Sequence, residues 1–510
     1  GGQSERRYYQ DAAIRATLEK VASKKDKWNR ILLSLATGSG KTRIASHLLH
    51  KLSESGQLKK ALFVCDRNEL RKQGFGQMFS VFGDNAAFVE GKNPQKNARI
   101  IVSTYQALGI DEDGDQSFFL KNYPKNYFSH IIIDECHRSA WNKWSIVLTN
   151  NPDAVQVGLT ATPRKIEGDV SSDKDKDEKI SRNNIDYFGE PVYEYPYHKG
   201  WEDGYLAACE IVKRKVNLDE RVLLREEIID LGGYDAKTGN PLDQSDVKLS
   251  YGKRDFEKEL ILPDRINAMC KDILDLFEAT GSVMQKTIIF CVNDKHAEDV
   301  TNTINNLYVD KGLPACEKFA FKCTQKGISS GTLGENQETL LSNMRGNKNS
   351  HFIATTVDLL TTGVDIPCVE NIVFFTYVKS PIQFYQMVGR GTRIDDAFNK
   401  YMFRVYDYTN ASRLFGKDFI SKPRVEPSRP NGTDKPKRKI IKVKGFDVEV
   451  RDEGTFILMR DEATGKEKPY TIEEYRGQLA ASLIENAKDI DLLREMWINR
   501  EERRHLISAL

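Results

Sequence analysis

The sequence predicts an α/β protein with two parallel-sheet domains in tandem and a mainly α C-terminal extension. Three observations predict it. Short apolar runs of strand length alternate with helix-like segments, the pattern of parallel α/β units. The runs fall into two series, one in each half of the chain. A glycine-rich turn, GSGKT, joins the first run to a helical segment, where α/β proteins present helix N-termini to phosphate.

The first series is ILLSLA (31–36), ALFVCD (61–66), ARIIVSTY (98–105), HIIIDE (130–135) and AVQVGLT (154–160). The second is KTIIFCV (286–292), HFIATT (351–356), NIVFFT (371–376) and MFRVYDY (402–408). Near-continuous apolar runs suit strands covered on both faces. The expected division is a first domain over 1–190 and a connector with the start of the second lobe over 191–275. A second domain over 276–415, a basic linker over 416–445 and a helical segment over 446–510 follow. The charged stretch 165–183 is expected to be a loop, and LGGYDAKTGNPLDQSD (231–246) an exposed turn.

With 510 residues, 39% hydrophobic and 29% charged, the composition is that of a globular protein large enough for more than one core. No uninterrupted apolar segment approaches the ~20 residues of a membrane span, and GGQSERRYYQ lacks the apolar core of a signal peptide. The eight cysteines form no C-x-x-C pair, which argues against a disulfide framework and a structural zinc site and makes the cytoplasm the expected compartment. The net charge of +2 does not announce a nucleic-acid partner. KPKRKIIKVK (435–444) reads equally as a DNA-backbone patch or a solvated linker.

Three motifs carry chemistry. In LATGSGKT, Gly38 and Gly40 let the backbone of Thr37, Gly38, Ser39 and Gly40 turn its N–H groups toward phosphate. Lys41 would reach the β/γ-phosphates and Thr42 would hold Mg²⁺. The usual pattern starts with Gly six residues before the lysine, where this chain has Leu35. IIIDECHRS (131–139) admits a Cys136–His137 nucleophile pair, a metal site or an acid pair. Adjacent side chains at a strand end face opposite ways, and no further ligands are suggestively spaced, so the acid pair is favoured. Asp134 would serve Mg²⁺ and Glu135 the attacking water. QFYQMVGRGTR (383–393) offers Arg390 and Arg393, three apart and expected on one helical face, as guanidinium groups for a γ-phosphate.

Taken in order, Arg7–Gln10, GSGKT, CDRNEL (65–70), STYQ (103–106), DECH, LTATP (159–163), IIFC (288–291), TTVDLLTTGVDIP (355–367) and Q-x-x-G-R-x-x-R (386–393) resemble the motifs of superfamily 2 helicases and translocases. YFGEPVYEYPYHKGWEDGYLA (187–207), VKSPIQFYQMVGRGTR (378–393) and REMWINREERRHLI (494–507) look most like the motor of the R subunit of type I restriction enzymes. The resemblance covers nearly the whole chain and is weaker after about residue 415. It implies two RecA-like domains, with ATP and Mg²⁺ between them. Gln10 would read adenine, supported by Arg7, and a glutamine amide matches an N6/N7 edge. Gly363, Asp365 and Gln386 would line the cleft from the second domain. Thr160 and Thr162 would couple nucleotide to DNA. His137 is a coupling residue or a structural histidine. Arg67, Thr104, Gln106 and Thr356 are DNA-backbone candidates, with loop capping as the alternative.

Such R subunits carry an N-terminal nuclease domain with a D…E-x-K site. Here the adenine motif begins at residue 7, and Asp84 with Glu90-Gly91-Lys92 is the only suggestive spacing, read as a chance match. The chain is then a piece of a longer subunit or a nuclease-free relative, and the tail cues that suit a restriction subunit make the piece the expectation. The expected function is ATP-dependent translocation on double-stranded DNA beside methyltransferase (M) and specificity (S) subunits, with no membrane partner. A stand-alone helicase and a nucleotide-gated assembly module are the alternatives.

Overall fold

The computed structural model describes residues 7–25, 27–65, 76, 78, 80–90, 93–109, 118–134, 136, 146–161, 165–166, 184–324, 337–357, 366–416, 420–421, 439–461, 463–465, 467–487, 489–499 and 502. Its first half comprises α1 (Tyr8–Ser23), β1 (Arg30–Leu35), α2 (Lys41–Glu54), β2 (Ala61–Cys65), β3 (Ala86–Phe88), β4 (Ile100–Thr104), α3 (Phe118–Asn122), β5 (His130–Asp134), β6 (Val155–Thr160), α4 (Asn184–Phe188) and β7 (Tyr193–Tyr195). The strands form one sheet in the order β3-β4-β2-β5-β6-β1-β7. Every neighbouring pair is parallel.

Strand geometry explains why these runs are apolar throughout. Successive side chains point to opposite faces, and both faces are covered. Ile31, Leu33, Leu35, Phe63 and Val102 pack with Tyr9, Ile14, Leu48 and Leu52 of α1 and α2. Leu32, Leu62, Val64, Ile131 and Ile133 pack with Phe119, Tyr123 and Tyr187 on the other side.

The second half comprises α5 (Tyr197–Glu202), β8 (Ala208–Val216), α6 (Pro263–Ala279), β9 (Thr287–Phe290), α7 (Asp294–Asp310), β10 (Ala320–Lys322), α8 (Gln337–Gly346), β11 (Ile353–Thr356), β12 (Asn371–Phe374), α9 (Pro381–Val388), β13 (Met402–Asp407), β14 (Val450–Arg460), β15 (Glu467–Thr471), α10 (Ile472–Asn486) and α11 (Ile490–Ile498). Its sheet runs β10-β11-β9-β12-β13-β8-β14-β15. The first six strands are parallel, and the β14–β15 hairpin adds antiparallel to β8. The two sheets together make a mixed α/β fold consistent with tandem RecA-like domains.

β8 lies in the stretch expected to begin the second lobe and enters the second sheet; Cys209, Ile211, Val212 and Val216 are buried among half-buried residues, so it carries no continuous apolar run. One feature differs from the expectation. The segment expected to be helical over 446–510 begins with β14 and β15, and helices start only at Ile472. Phe456 and Leu458, two residues apart, pack on the same sheet face, the geometry of a strand and not of a helix. Among the described residues, no helix is long and apolar enough to cross a membrane.

A buried ion pair ties the turn after β8 to α6. Arg265, 1% exposed, donates through Nε and Nη2 to both carboxylate oxygens of Asp219, at 2.8 and 2.9 Å. Removing the carboxylate leaves the guanidinium in the core with the Tyr377 hydroxyl at 3.5 Å and Glu257 at 3.7 Å. Asp219→Ala is expected to destabilise the second domain by about 3 kcal/mol. A denaturant titration of wild type and variant measures this, and coincident transitions would contradict it.

Candidate active site

β1 ends at Leu35, and Ala36 donates its N–H to the Tyr195 carbonyl at 2.8 Å, which holds the start of the turn against β7. Gly38 and Gly40 then take φ values of +90° and +83°, the left-handed region that favours glycine. Gly40 caps α2, whose first-turn N–H groups and dipole favour an anion. Lys41, 9% exposed, is the first residue of α2 and donates to the Leu35 carbonyl at 3.4 Å. Thr42 follows it, half-buried. The Ser39 hydroxyl is fully buried with no hydrogen-bond partner among the described residues. An orphaned buried hydroxyl inside a turn of this geometry fits a phosphate loop.

The adenine-motif residues reach the same turn from α1. Tyr9, fully buried, donates its hydroxyl to the Ser39 carbonyl at 2.7 Å, and Gln10 Nε2 donates to the same oxygen at 3.2 Å. A β-carbon on Gly40 would lie 3.0 Å from Gln10 Nε2. Arg7, which precedes α1, donates to the Tyr9 hydroxyl at 3.2 Å and stacks over the Tyr205 ring at 4.8 Å.

Asp134, 4% exposed, ends β5 beside Leu159 of β6. Thr160 is fully buried opposite Ser34 of β1. The carboxylate strand and the strand leading to the phosphate loop are thus separated only by β6. Cys136 is 2% exposed, its Sγ close to Gly158, as a packing group would be. Glu135, His137, Thr162, Arg67, Gly363 and Asp365 lie outside the described residues.

The arginine motif arrives from the second domain. Pro381 starts α9 under a Ser380 cap, and half-buried Gln386 lies on that helix. The helix ends at Val388, so Arg390 and Arg393 occupy the following loop and do not share a helical face as expected. Close packing is the physical reason. A β-carbon at Gly389 would lie 2.7 Å from Thr37 Cβ, and one at Gly391 would collide with the Phe403 ring. Thr392 Oγ1 donates to the carbonyls of Thr37 and Gly389, each at 3.0 Å. A β-carbon on Gly38 would meet Thr392 Oγ1 at 3.0 Å and Arg393 Cγ at 3.3 Å. Burial, aided by Arg345, lowers the Arg393 pKa to about 10, so the group remains cationic at neutral pH.

Three of the DNA-backbone candidates lie among the described residues. Gln106 is exposed. Thr104 is buried and its hydroxyl accepts the Ala107 N–H at 3.1 Å, a loop cap. Thr356 is fully buried at the end of β11. Sequence reasoning passed over Tyr9, Tyr195, Tyr205, Leu206 and Thr392, all of which shape the phosphate turn or its neighbours. The signal lay in the aromatic density of RRYYQ and of YEYPYHKGWEDGYLA, used above only for resemblance. Between the domains lies a cavity of about 290 Å³ lined in part by Thr37, Tyr197, His198, Tyr385, Thr392 and Glu467.

The family described as "Type III restriction enzyme, res subunit" matches residues 3–165, and "Helicase conserved C-terminal domain" matches residues 267–395. The chain is 33% identical over 418 residues to the type I restriction enzyme EcoAI endonuclease subunit of Escherichia coli, covering 81% of this chain and 47% of that protein. It is 31% identical over 442 residues to the EcoKI endonuclease subunit of Escherichia coli K12, covering 79% of this chain and 34% of that protein. The chain thus spans about half or less of these relatives. A fragment structure described as an HsdR subunit of a type I restriction enzyme from Vibrio vulnificus YJ016 superposes with a TM-score of 0.58 at 27% identity, covering 82% of this chain and 68% of that one. The type ISP enzyme LlaBIII, at 17% identity and a TM-score of 0.50 over 79% of this chain and 27% of that one, bears on the fold alone. Residues 3–165 thus carry a restriction-enzyme res-subunit domain and residues 267–395 a helicase C-terminal domain, and the chain's homologues include endonuclease subunits of type I restriction enzymes.

Proposed function

We propose that the chain is an ATP- and Mg²⁺-dependent translocase on double-stranded DNA, the motor portion of a type I restriction subunit that works in the cytoplasm beside M and S subunits. The observation that carries the catalytic part is the approach of the second-domain loop to the phosphate turn, within 3.3 Å of a β-carbon position on Gly38. A nucleotide triphosphate bound there would have Lys41 and the α2 N-terminus on one side and Arg390 and Arg393 on the other. Thr42 and Asp134 would hold Mg²⁺; hydroxyl and carboxylate oxygens are the hard donors this ion takes. When bound, the ion would offset negative charge on the phosphates.

In this reading Lys41 holds the β/γ-phosphates. Glu135 orients the attacking water and accepts its proton, and Arg390 and Arg393 stabilise charge on the transferred phosphoryl group. Gln10 and Arg7 select the base. Turnover would alter the contact of the second domain with the phosphate turn, and cycles of that change would move backbone-binding loops along DNA. Phosphate-directed contacts suit such a motor because they carry no sequence information.

Lys41→Ala is expected to abolish DNA-stimulated ATP hydrolysis. Arg393→Ala is expected to lower kcat by about 10³-fold with ATP binding retained, measured by phosphate release and equilibrium nucleotide binding; turnover equal to wild type in either variant removes the catalytic assignment. Gln10→Ala is expected to raise KM for ATP and narrow the preference for ATP over GTP, read from steady-state kinetics with both nucleotides. Preserved discrimination would place base selection elsewhere. Displacement of a triplex strand without unwinding of duplex DNA is the expected signature of translocation. Efficient strand separation would instead make the chain a helicase.

A further inference from the structure

Lys400 is 3% exposed, yet its ammonium serves backbone and not a carboxylate. Its Nζ donates to the carbonyls of Gly391 and Arg393. The chain returns to this position through a tight reversal. Lys400 N–H donates to the Asp395 carbonyl at 2.9 Å, Asp395 N–H donates back at 3.0 Å, and Asp396–Phe398 forms the turn between them. Gly391 rests on the Phe403 ring, and the Lys400 ammonium lies 5.6 Å from the centre of that ring.

The two carbonyls that Lys400 holds flank Thr392, whose hydroxyl contacts the phosphate loop at the Thr37 carbonyl. One side chain therefore fixes the Gly391–Thr392 and Arg393–Ile394 peptide planes, which bracket the Thr392–Arg393 unit that reaches the first domain. A buried backbone carbonyl left without a donor is costly, so this loop has a strong reason to stay on Lys400. Burial lowers the Lys400 pKa to about 7, and even the neutral amine retains an N–H for each of the two carbonyls.

We infer that Lys400 is a positioning residue for the arginine loop, aligning Arg393 on the nucleotide through the Gly391 and Arg393 carbonyls. The inference rests on the motor reading above. It differs from a purely structural role because its effect must pass through Arg393.

A double-mutant cycle on the full chain tests it, with wild type, Lys400→Met, Arg393→Ala and the double variant assayed for ATP hydrolysis with duplex DNA. Lys400→Met is expected to lower kcat by about 10- to 100-fold, as misplaced catalytic groups do, with KM for ATP unchanged. In the Arg393→Ala background the same substitution is expected to cost nothing further. Should Lys400→Met not fold, Lys400→Gln, which keeps an N–H₂ donor, is expected to give a smaller loss with the same non-additivity. Unchanged kcat in the Lys400 variants, or losses that multiply in the double variant, overturns the inference while wild type still turns over ATP. A wild-type chain without ATP turnover overturns the motor reading, and this inference falls with it.

Discussion

Glycine backbone must meet the side chains of the opposite loop at the contact between the domains, and the rest of the site depends on that approach. Gly38 in the phosphate turn faces Thr392 and Arg393, while Gly389 faces Thr37. A methyl group at either glycine would enter space already occupied at 2.7 to 3.3 Å, so the loops would separate. Separation would remove the Thr392 hydroxyl from the Thr37 carbonyl and carry both arginines away from the turn. The same constraint ends α9 at Val388, since a further helical turn could not bring Gly389 and Gly391 onto their neighbours.

The connector between the sheets is the second determinant. Tyr195 stacks on Tyr9 with ring centres 3.8 Å apart. Asp203 accepts hydroxyl protons from both Tyr8 and Tyr195 at 2.6 Å. Leu206 packs against Gly38 and Gly200, and the chain then enters β8 of the second sheet. The segment thus touches the adenine-motif helix and the phosphate turn before it becomes part of the other domain. Aromatic stacking and two hydroxyl–carboxylate bonds on one side chain restrain the segment, so the two halves are joined by a braced connection and not by a slack linker.

The C-terminal hairpin is braced to the same region. Glu467, at the start of β15, accepts the Tyr385 hydroxyl proton at 2.9 Å and the His198 N–H at 3.3 Å. Tyr385 sits on α9 one turn before the arginine loop, and its hydroxyl accepts the Gly416 N–H at 3.0 Å. The extension is thereby part of the second domain's sheet and of its contact with the cleft.

Local chemistry determined the parallel strands and the phosphate turn, because both are written in contiguous residues. The runs around Ile31, Phe63, Ile101, Ile132 and Val157 are apolar on both faces, and Gly38 and Gly40 precede a lysine at a strand-to-helix junction. Tertiary structure alone decided the rest. β8 shows no continuous apolar run and the hairpin only Phe456–Met459 at the end of a charged strand, so their place in the sheet depends on partners distant in sequence. The contact of Thr392 with Thr37 and the approach of Gly389 to the same residue join positions hundreds apart, while the burial of Lys400 beneath the arginine loop depends on the chain reversal over 395–400. A three-residue spacing of arginines suggests a helix face, but the close approach of glycines to a distant loop overrides it.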